Sequence, residues 1–192
     1  MSYDCNTIVD YYAKLPQFLK QKVDMHKFEG DKHRSILAYS LLVKMLGHKT
    51  LDKFIYNQYG KPFLLNGPQF SISHSKNHVA VALSNNHIGV DVETLRVLPK
   101  LYFDSILSEQ EFAQVQLDKT TRSINFWTLW TRKEAYLKCL GTGIGLNLQK
   151  VEVIDDIVVD NFKQYKLITE VFDKFVISVC VPNLGCAKTH TS

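Results

Sequence analysis

The sequence has no block of basic residues, no C-x-x-C pair, no apolar leader and no apolar run long enough to span a membrane. Each gap excludes something. Lys and Arg are scattered, so a formal net charge of +4 over 192 residues favours an acidic partner or a phosphorylated ligand and predicts no nucleic acid among the partners. The four cysteines, Cys5, Cys139, Cys180 and Cys186, show neither zinc-site spacing nor the density of a disulfide framework. They read as reduced thiols. Residues 1–14 carry Asp4 and Asp10 and no signal core, so a cytoplasmic protein without membrane association is expected. What is present in quantity is core material: 45% of the residues are hydrophobic and 11% aromatic, enough for one good core or two small ones.

The most telling stretch is acidic. In His87-Ile88-Gly89-Val90-Asp91-Val92-Glu93, strand alternation sends Ile88, Val90 and Val92 into a core and puts Gly89, Asp91 and Glu93 on the other face. Two carboxylates held side by side repel unless a proton or cation lies between them. Oxygen-only ligands suit magnesium, which completes its shell with water and substrate phosphate. A solvated acidic edge is the competing interpretation of the stretch taken alone.

Around it the chain reads as α+β. A short lead with a strand over residues 7–12 is expected, then a helix from Leu15-Pro16 to about residue 28, decorated by Lys20, Lys22 and Lys27. A second helix is capped by Asp31, carries Ile36, Leu37, Leu41, Leu42, Met45 and Leu46 at helical spacing, and stops at Gly47. Arg34 falls in its first turn, where it faces solvent or an anion. Gly60-Lys61-Pro62 lies in a turn-rich loop, and Phe70-Ser71-Ile72-Ser73-His74-Ser75 with residues 78–83 reads as a hairpin. Asn85-Asn86 leads into the acidic strand, predicting an antiparallel meander.

Beyond Pro99, Ser108 and Glu111 form a capping-box pattern, and residues 126–140 predict the strongest helix, with Phe126, Trp130 and Leu137 on its apolar stripe. Glu134 sits at the rim of that stripe and Lys138 one turn further on. After Gly141-Thr142-Gly143-Ile144-Gly145, strands are expected over residues 151–153, 164–171 and 175–181, with a disordered tail from residue 183. The order helix, helix, Gly-rich loop, hairpin occurs twice. It suggests two similar α+β subdomains, residues 1–98 and 99–192, related by a pseudo-twofold with a cleft between them and forming a monomer.

Five motifs in order, Gly60-Lys61-Pro62, residues 70–75, residues 88–93, Trp130-Thr131-Arg132-Lys133-Glu134-Ala135-Tyr136-Leu137-Lys138 and the 141–146 loop, together with His33-Arg34, resemble the 4′-phosphopantetheinyl transferases of the surfactin-synthetase-activating type. That resemblance implies the transferase fold. It also implies transfer of the phosphopantetheine arm of coenzyme A to a serine of an apo acyl or peptidyl carrier protein, releasing adenosine 3′,5′-bisphosphate. Magnesium would be held by Asp91, Glu93 and Glu134. Glu134 and Lys138 would be catalytic, as base and as leaving-group cation. Arg34, Lys61, Ser73, His74 and Lys138 would bind coenzyme A. Thr142 stands where relatives commonly carry a lysine, and Phe18 and Gln21 stand where cations are expected while Lys20 and Lys22 flank them, which leaves the roles of those two lysines open; Lys133 either snorkels or reaches a phosphate. A magnesium-dependent nucleotide phosphodiesterase and an inactive carrier-binding module are the alternatives.

Overall fold

A computed structural model describes residues 5–47, 54–98, 103–143 and 148–184. The chain opens on three helices, α1 (Cys5–Lys14), α2 (Gln17–Asp24) and α3 (Glu29–Leu46), followed by two hairpins, β1 (Phe54–Tyr56) with β2 (Pro62–Leu64) and β3 (Gln69–Ser75) with β4 (His78–Ser84). Next come β5 (Gly89–Thr94), α4 (Phe103–Ile106), α5 (Glu109–Gln116) and α6 (Arg122–Leu140), then a short 3-10 turn at Leu148–Lys150 and three strands, β6 (Ile157–Asp160), β7 (Lys163–Val171) and β8 (Phe175–Pro182). No helix among the described residues is long and apolar enough to cross a membrane.

The α+β class expected from the sequence is the one observed. Helices α1 to α3 close on one core through Ile8, Leu19, Val23, Leu42 and Phe70. A second core lies between α6 and the four-stranded sheet, built on Trp127, Tyr136, Leu137, Leu167 and Val176. A third, smaller cluster of Ala80, Val90 and Val92 seals the β3–β4 hairpin against that sheet. At about 1.5–3 kcal/mol for each fully buried aliphatic side chain, Val90 and Val92 in the third cluster contribute strongly to the placement of β5.

Several local expectations hold. Gly47 ends α3 with φ +77°, a left-handed value that glycine adopts without a Cβ penalty. Ser108 caps α5, accepting from Glu111 N–H while the Glu111 carboxylate accepts from Ser108 N–H. Others need correction. Residues 7–12 lie in α1, because Ile8 and Tyr12 pack at helical spacing against α3. The helix begun at Pro16 ends at Asp24, and α3 starts two residues before Asp31, whose carboxylate is spent on Arg34 at 2.5 Å. Residues 151–153 are not a strand; β6 begins at Ile157. Asn183 and Leu184 leave β8 without regular structure, and the rest of the expected tail lies outside the described residues, as do residues 144–147 of the glycine loop.

The meander also needs revision. β5 does not pair with β4 through its main chain; it runs antiparallel to β8 at the edge of a sheet ordered β5-β8-β7-β6. Its other edge faces β3, where serine hydroxyls take the place of carbonyl acceptors. Ser71, Ser73 and Ser75 Oγ accept from Val90, Val92 and Thr94 N–H at 3.0, 3.3 and 3.2 Å. Alternation on both strands keeps the three contacts in step.

Candidate functional site

The site begins with how closely α6 approaches β5. A Cβ at Gly89 would lie 1.9 Å from the Ala135 carbonyl oxygen, so only glycine lets the helix cross the strand there. The contact brings the Gly89, Asp91 and Glu93 face against the helix turns that carry Glu134 and Lys138. Val90 and Val92 are buried on the opposite face, as alternation requires.

At the centre Lys138 Nζ lies 2.6 Å from Asp91 Oδ1 and 3.1 Å from Ser73 Oγ, and Ser73 donates to the same Asp91 oxygen at 2.7 Å. Burial pushes the Asp91 carboxyl above its ordinary range, with Lys138 and Ser73 pulling the other way. Burial likewise raises Glu134, and the negative charges of Asp91 and Glu93 add to the rise while Lys138 opposes it. Among the described residues two carboxylate oxygens, Asp91 Oδ2 and Glu134 Oε1, are buried with no hydrogen-bond partner. Leaving such atoms unmade is costly, and a bound cation is one chemical remedy. Glu93 is held differently: its Oε2 accepts from Ser75 at 2.5 Å and from Arg96 at 3.0 Å. Arg96 is steadied in turn by the Trp127 ring, 3.9 Å from its guanidinium carbon.

Among the described residues no three His, Cys, Asp or Glu side chains already stand as a metal cluster. The donor set nevertheless fits magnesium. It offers hard oxygens, two of them unpartnered, and magnesium takes one or two carboxylates and leaves its other positions to water and phosphate.

A cleft of about 450 Å³ opens beside this centre, lined by Lys61, His74, Glu134 and Lys138 and by the rings of Tyr39 and Tyr56. A larger cavity, about 580 Å³, lies along α1, α3 and β4, but among the described residues no carboxylate and none of the motif residues named above lines it. Chemistry therefore selects the smaller one. Within it desolvation and the positive charge of Arg34 hold His74 below its ordinary value. Arg34 itself donates to Asp31 and to the Lys76 carbonyl.

Lys61 enters the cleft wall with its ammonium already engaged, donating to the Lys138 carbonyl at 2.5 Å and the Ile88 carbonyl at 3.1 Å. Burial lowers its pKa. Asn57 braces the same turn: it accepts from the N–H of Tyr59 and Lys61 and donates to the Gly141 carbonyl at 2.8 Å. The β1–β2 turn is thus docked on the C-terminal end of α6, where donors meet carbonyls left without helical partners. Lys133 does not reach the cleft. It is fully buried, 2.7 Å from Glu111, and donates to the Leu148 and Val151 carbonyls.

Sequence reasoning left out the aromatic wall and Lys22, whose ammonium lies 4.1 Å from the Tyr56 ring centre. The tyrosine-rich stretch before Gly60 was the available signal. Asn57 carried none, since an asparagine next to a turn is commonplace.

Fold and site together define an α+β protein with a carboxylate–lysine centre suited to chemistry on phosphate oxygens. The model of the 4′-phosphopantetheinyl transferase superfamily matches residues 87–180. A putative 4′-phosphopantetheinyl transferase of Synechocystis is 32% identical over 181 residues, covering 85% of this chain and 70% of its own. The 4′-phosphopantetheinyl transferase gsp of Aneurinibacillus migulanus is 33% identical over 121 residues, 59% of this chain and 51% of its own. Sfp of Bacillus subtilis, another 4′-phosphopantetheinyl transferase, is 30% identical over 142 residues, 70% of this chain and 63% of its own. The chain belongs to the 4′-phosphopantetheinyl transferase superfamily. It spans about half the length of the Aneurinibacillus relative and less than two thirds of the Bacillus one.

Proposed function

We propose that the protein transfers 4′-phosphopantetheine from coenzyme A to a serine hydroxyl of an apo acyl or peptidyl carrier protein. The observation that carries this reading is the pair of unpartnered, buried oxygens, Asp91 Oδ2 and Glu134 Oε1, beside the Lys138 ammonium at a cleft in a chain of this family.

The serine oxygen attacks the pyrophosphate phosphorus that bears the pantetheine arm. The bond from that phosphorus to the bridging oxygen breaks, and adenosine 3′,5′-bisphosphate leaves. Glu134 accepts the serine proton; a carboxylate raised by burial is a stronger base than an exposed one. Lys138 places positive charge where the leaving phosphate gains negative charge. Asp91 and Glu134 would hold magnesium through their unpartnered oxygens, with Glu93 as the third carboxylate through the oxygen that Ser75 and Arg96 leave open. When bound, magnesium neutralises phosphate charge and stabilises the leaving group.

His74, in the cleft, and Arg34, whose charge reaches it, are the groups assigned to the adenosine 3′-phosphate, with Lys22 as a further cation and Tyr56 as a surface for the base. Lys61 contributes its alkyl chain to the cleft wall and Ser73 its hydroxyl to the Asp91–Lys138 pair. The reading further takes the protein as a cytoplasmic monomer whose subdomains divide near residue 98. Incubation with coenzyme A, magnesium and a panel of apo carriers tests it by intact mass. A phosphopantetheine increment on a carrier serine is expected, and folded protein that adds none to any carrier overturns the proposal.

A further inference from the structure

The alternating hydroxyls of β3 do more than replace a strand. Ser71, Ser73 and Ser75 are all buried, and each accepts one β5 N–H. A serine hydroxyl has one proton to give, and its oxygen here already accepts a strand N–H. Ser73 gives that proton to Asp91 Oδ1 at 2.7 Å and Ser75 gives its own to Glu93 Oε2 at 2.5 Å, whereas Ser71 meets no carboxylate.

The two strand carboxylates are therefore treated alike. One oxygen of each is committed twice, Asp91 Oδ1 to Ser73 and Lys138, and Glu93 Oε2 to Ser75 and Arg96. The other oxygen is left open: among the described residues Asp91 Oδ2 has no partner and no hydrogen bond to Glu93 Oε1 is found. We propose that Ser73 and Ser75 are positioning residues that tie down one oxygen of each strand carboxylate and thereby present the second to a divalent cation. The inference rests on the reading of Asp91, Glu93 and Glu134 as magnesium ligands. Ser75 is its sharper case, because Ser73 also touches Lys138.

The experiment compares Ser75→Ala with Ser71→Ala. Each substitution removes one hydroxyl contact to a β5 N–H, and Ser75→Ala removes in addition the hydrogen bond to Glu93, so the pair isolates the carboxylate contact from the strand contact. Manganese binding is followed by electron paramagnetic resonance in the presence of coenzyme A, alongside melting temperature and the magnesium concentration giving half-maximal transfer. Ser75→Ala is expected to weaken manganese binding about tenfold or more, as loss of an outer partner of a metal ligand does, and to recover most of its rate at saturating magnesium. Ser71→Ala is expected to lower the melting temperature by no more than Ser75→Ala does and to leave manganese binding at the wild-type level. Ser75→Thr, which keeps the hydroxyl, restores binding.

Equal manganese affinity in Ser75→Ala and the wild type, or equal losses in the two alanine variants, overturns the inference. Should Ser75→Ala not fold, Ser75→Cys keeps the size but offers a weak donor, and unchanged affinity there overturns it equally. A folded wild type that binds no manganese with coenzyme A instead overturns the underlying magnesium reading, so the two failures are told apart.

Discussion

Lys133 and Lys138 project from the same helix and each meets a carboxylate, yet their surroundings are opposite in kind. The Lys133–Glu111 pair is sealed, with both side chains fully buried. Both members of the pair have further partners: Lys133 also gives to two carbonyls, and Glu111 accepts from the N–H of Ser108 and Val153. The Lys138–Asp91 pair is open, with Lys138 29% exposed toward the cleft. Beside it Asp91 Oδ2 and Glu134 Oε1 lie unanswered. A satisfied buried pair is architecture, and it ties α5 and the segment after the glycine loop to α6. An unsatisfied one beside a cleft has capacity left over for something the chain does not supply.

The strongest way to break the open side is Glu134→Gln. Transfer is expected to fall by about 10²–10⁴-fold, the usual contribution of a positioned acid or base, while coenzyme A binding stays measurable by calorimetry. Turnover at the wild-type rate would remove Glu134 from the role of base. On the sealed side, Lys133→Met leaves Glu111 as an uncompensated buried charge and is expected to lower unfolding free energy by about 3–5 kcal/mol in urea titrations. Activity should then track the folded fraction. A stable Lys133→Met variant with lost transfer would erase the distinction drawn between the two pairs.

Gly89→Ala attacks the crossing that makes the open pair possible. With the Ala135 carbonyl oxygen 1.9 Å from the new Cβ, helix and strand must part, and a loss of about 1–3 kcal/mol or more is expected. Transfer should fall further than stability does, because Asp91 and Lys138 separate. A variant with wild-type melting and turnover would contradict the close approach.

The smallest effect is the pH dependence. Asp91 and Glu134 have raised folded-state pKa values, so the folded protein binds more protons than the unfolded chain just above the ordinary carboxylate range. Stability of the magnesium-free protein should therefore decline as pH rises from that range through the raised values. Glu134→Gln should flatten the decline, as should magnesium. A slope unchanged by both would place the titration elsewhere.

Much of this was legible from residue order. Alternation in β5 put Asp91 and Glu93 on one face, and Ser108 with Glu111 marked the start of α5. The motif order pointed to the family. Other features were hidden because they depend on partners without a side-chain signature. Lys61 reads as a cation available for phosphate, but two backbone carbonyls from distant elements receive its ammonium. Lys133 sits within the motif, yet Glu111, far away in sequence, claims it. Glu111 itself was recognised only as half of a capping box, though its carboxylate serves the cap, the lysine and Val153 at once.

Periodicities of two and of about 3.6 residues arise from the backbone itself, so strand faces, helix faces and caps can be read within a few neighbouring residues. On that basis the acidic face of β5, the helix carrying Glu134 and Lys138, and the serine alternation of β3 were all present in the chain as written. Which strand lies beside β5 and which lysine is left facing a cleft depend on groups brought together across dozens of residues. Burial then assigns each buried donor or acceptor to whatever stands within about 3 Å, and those partners exist only once the cores have closed.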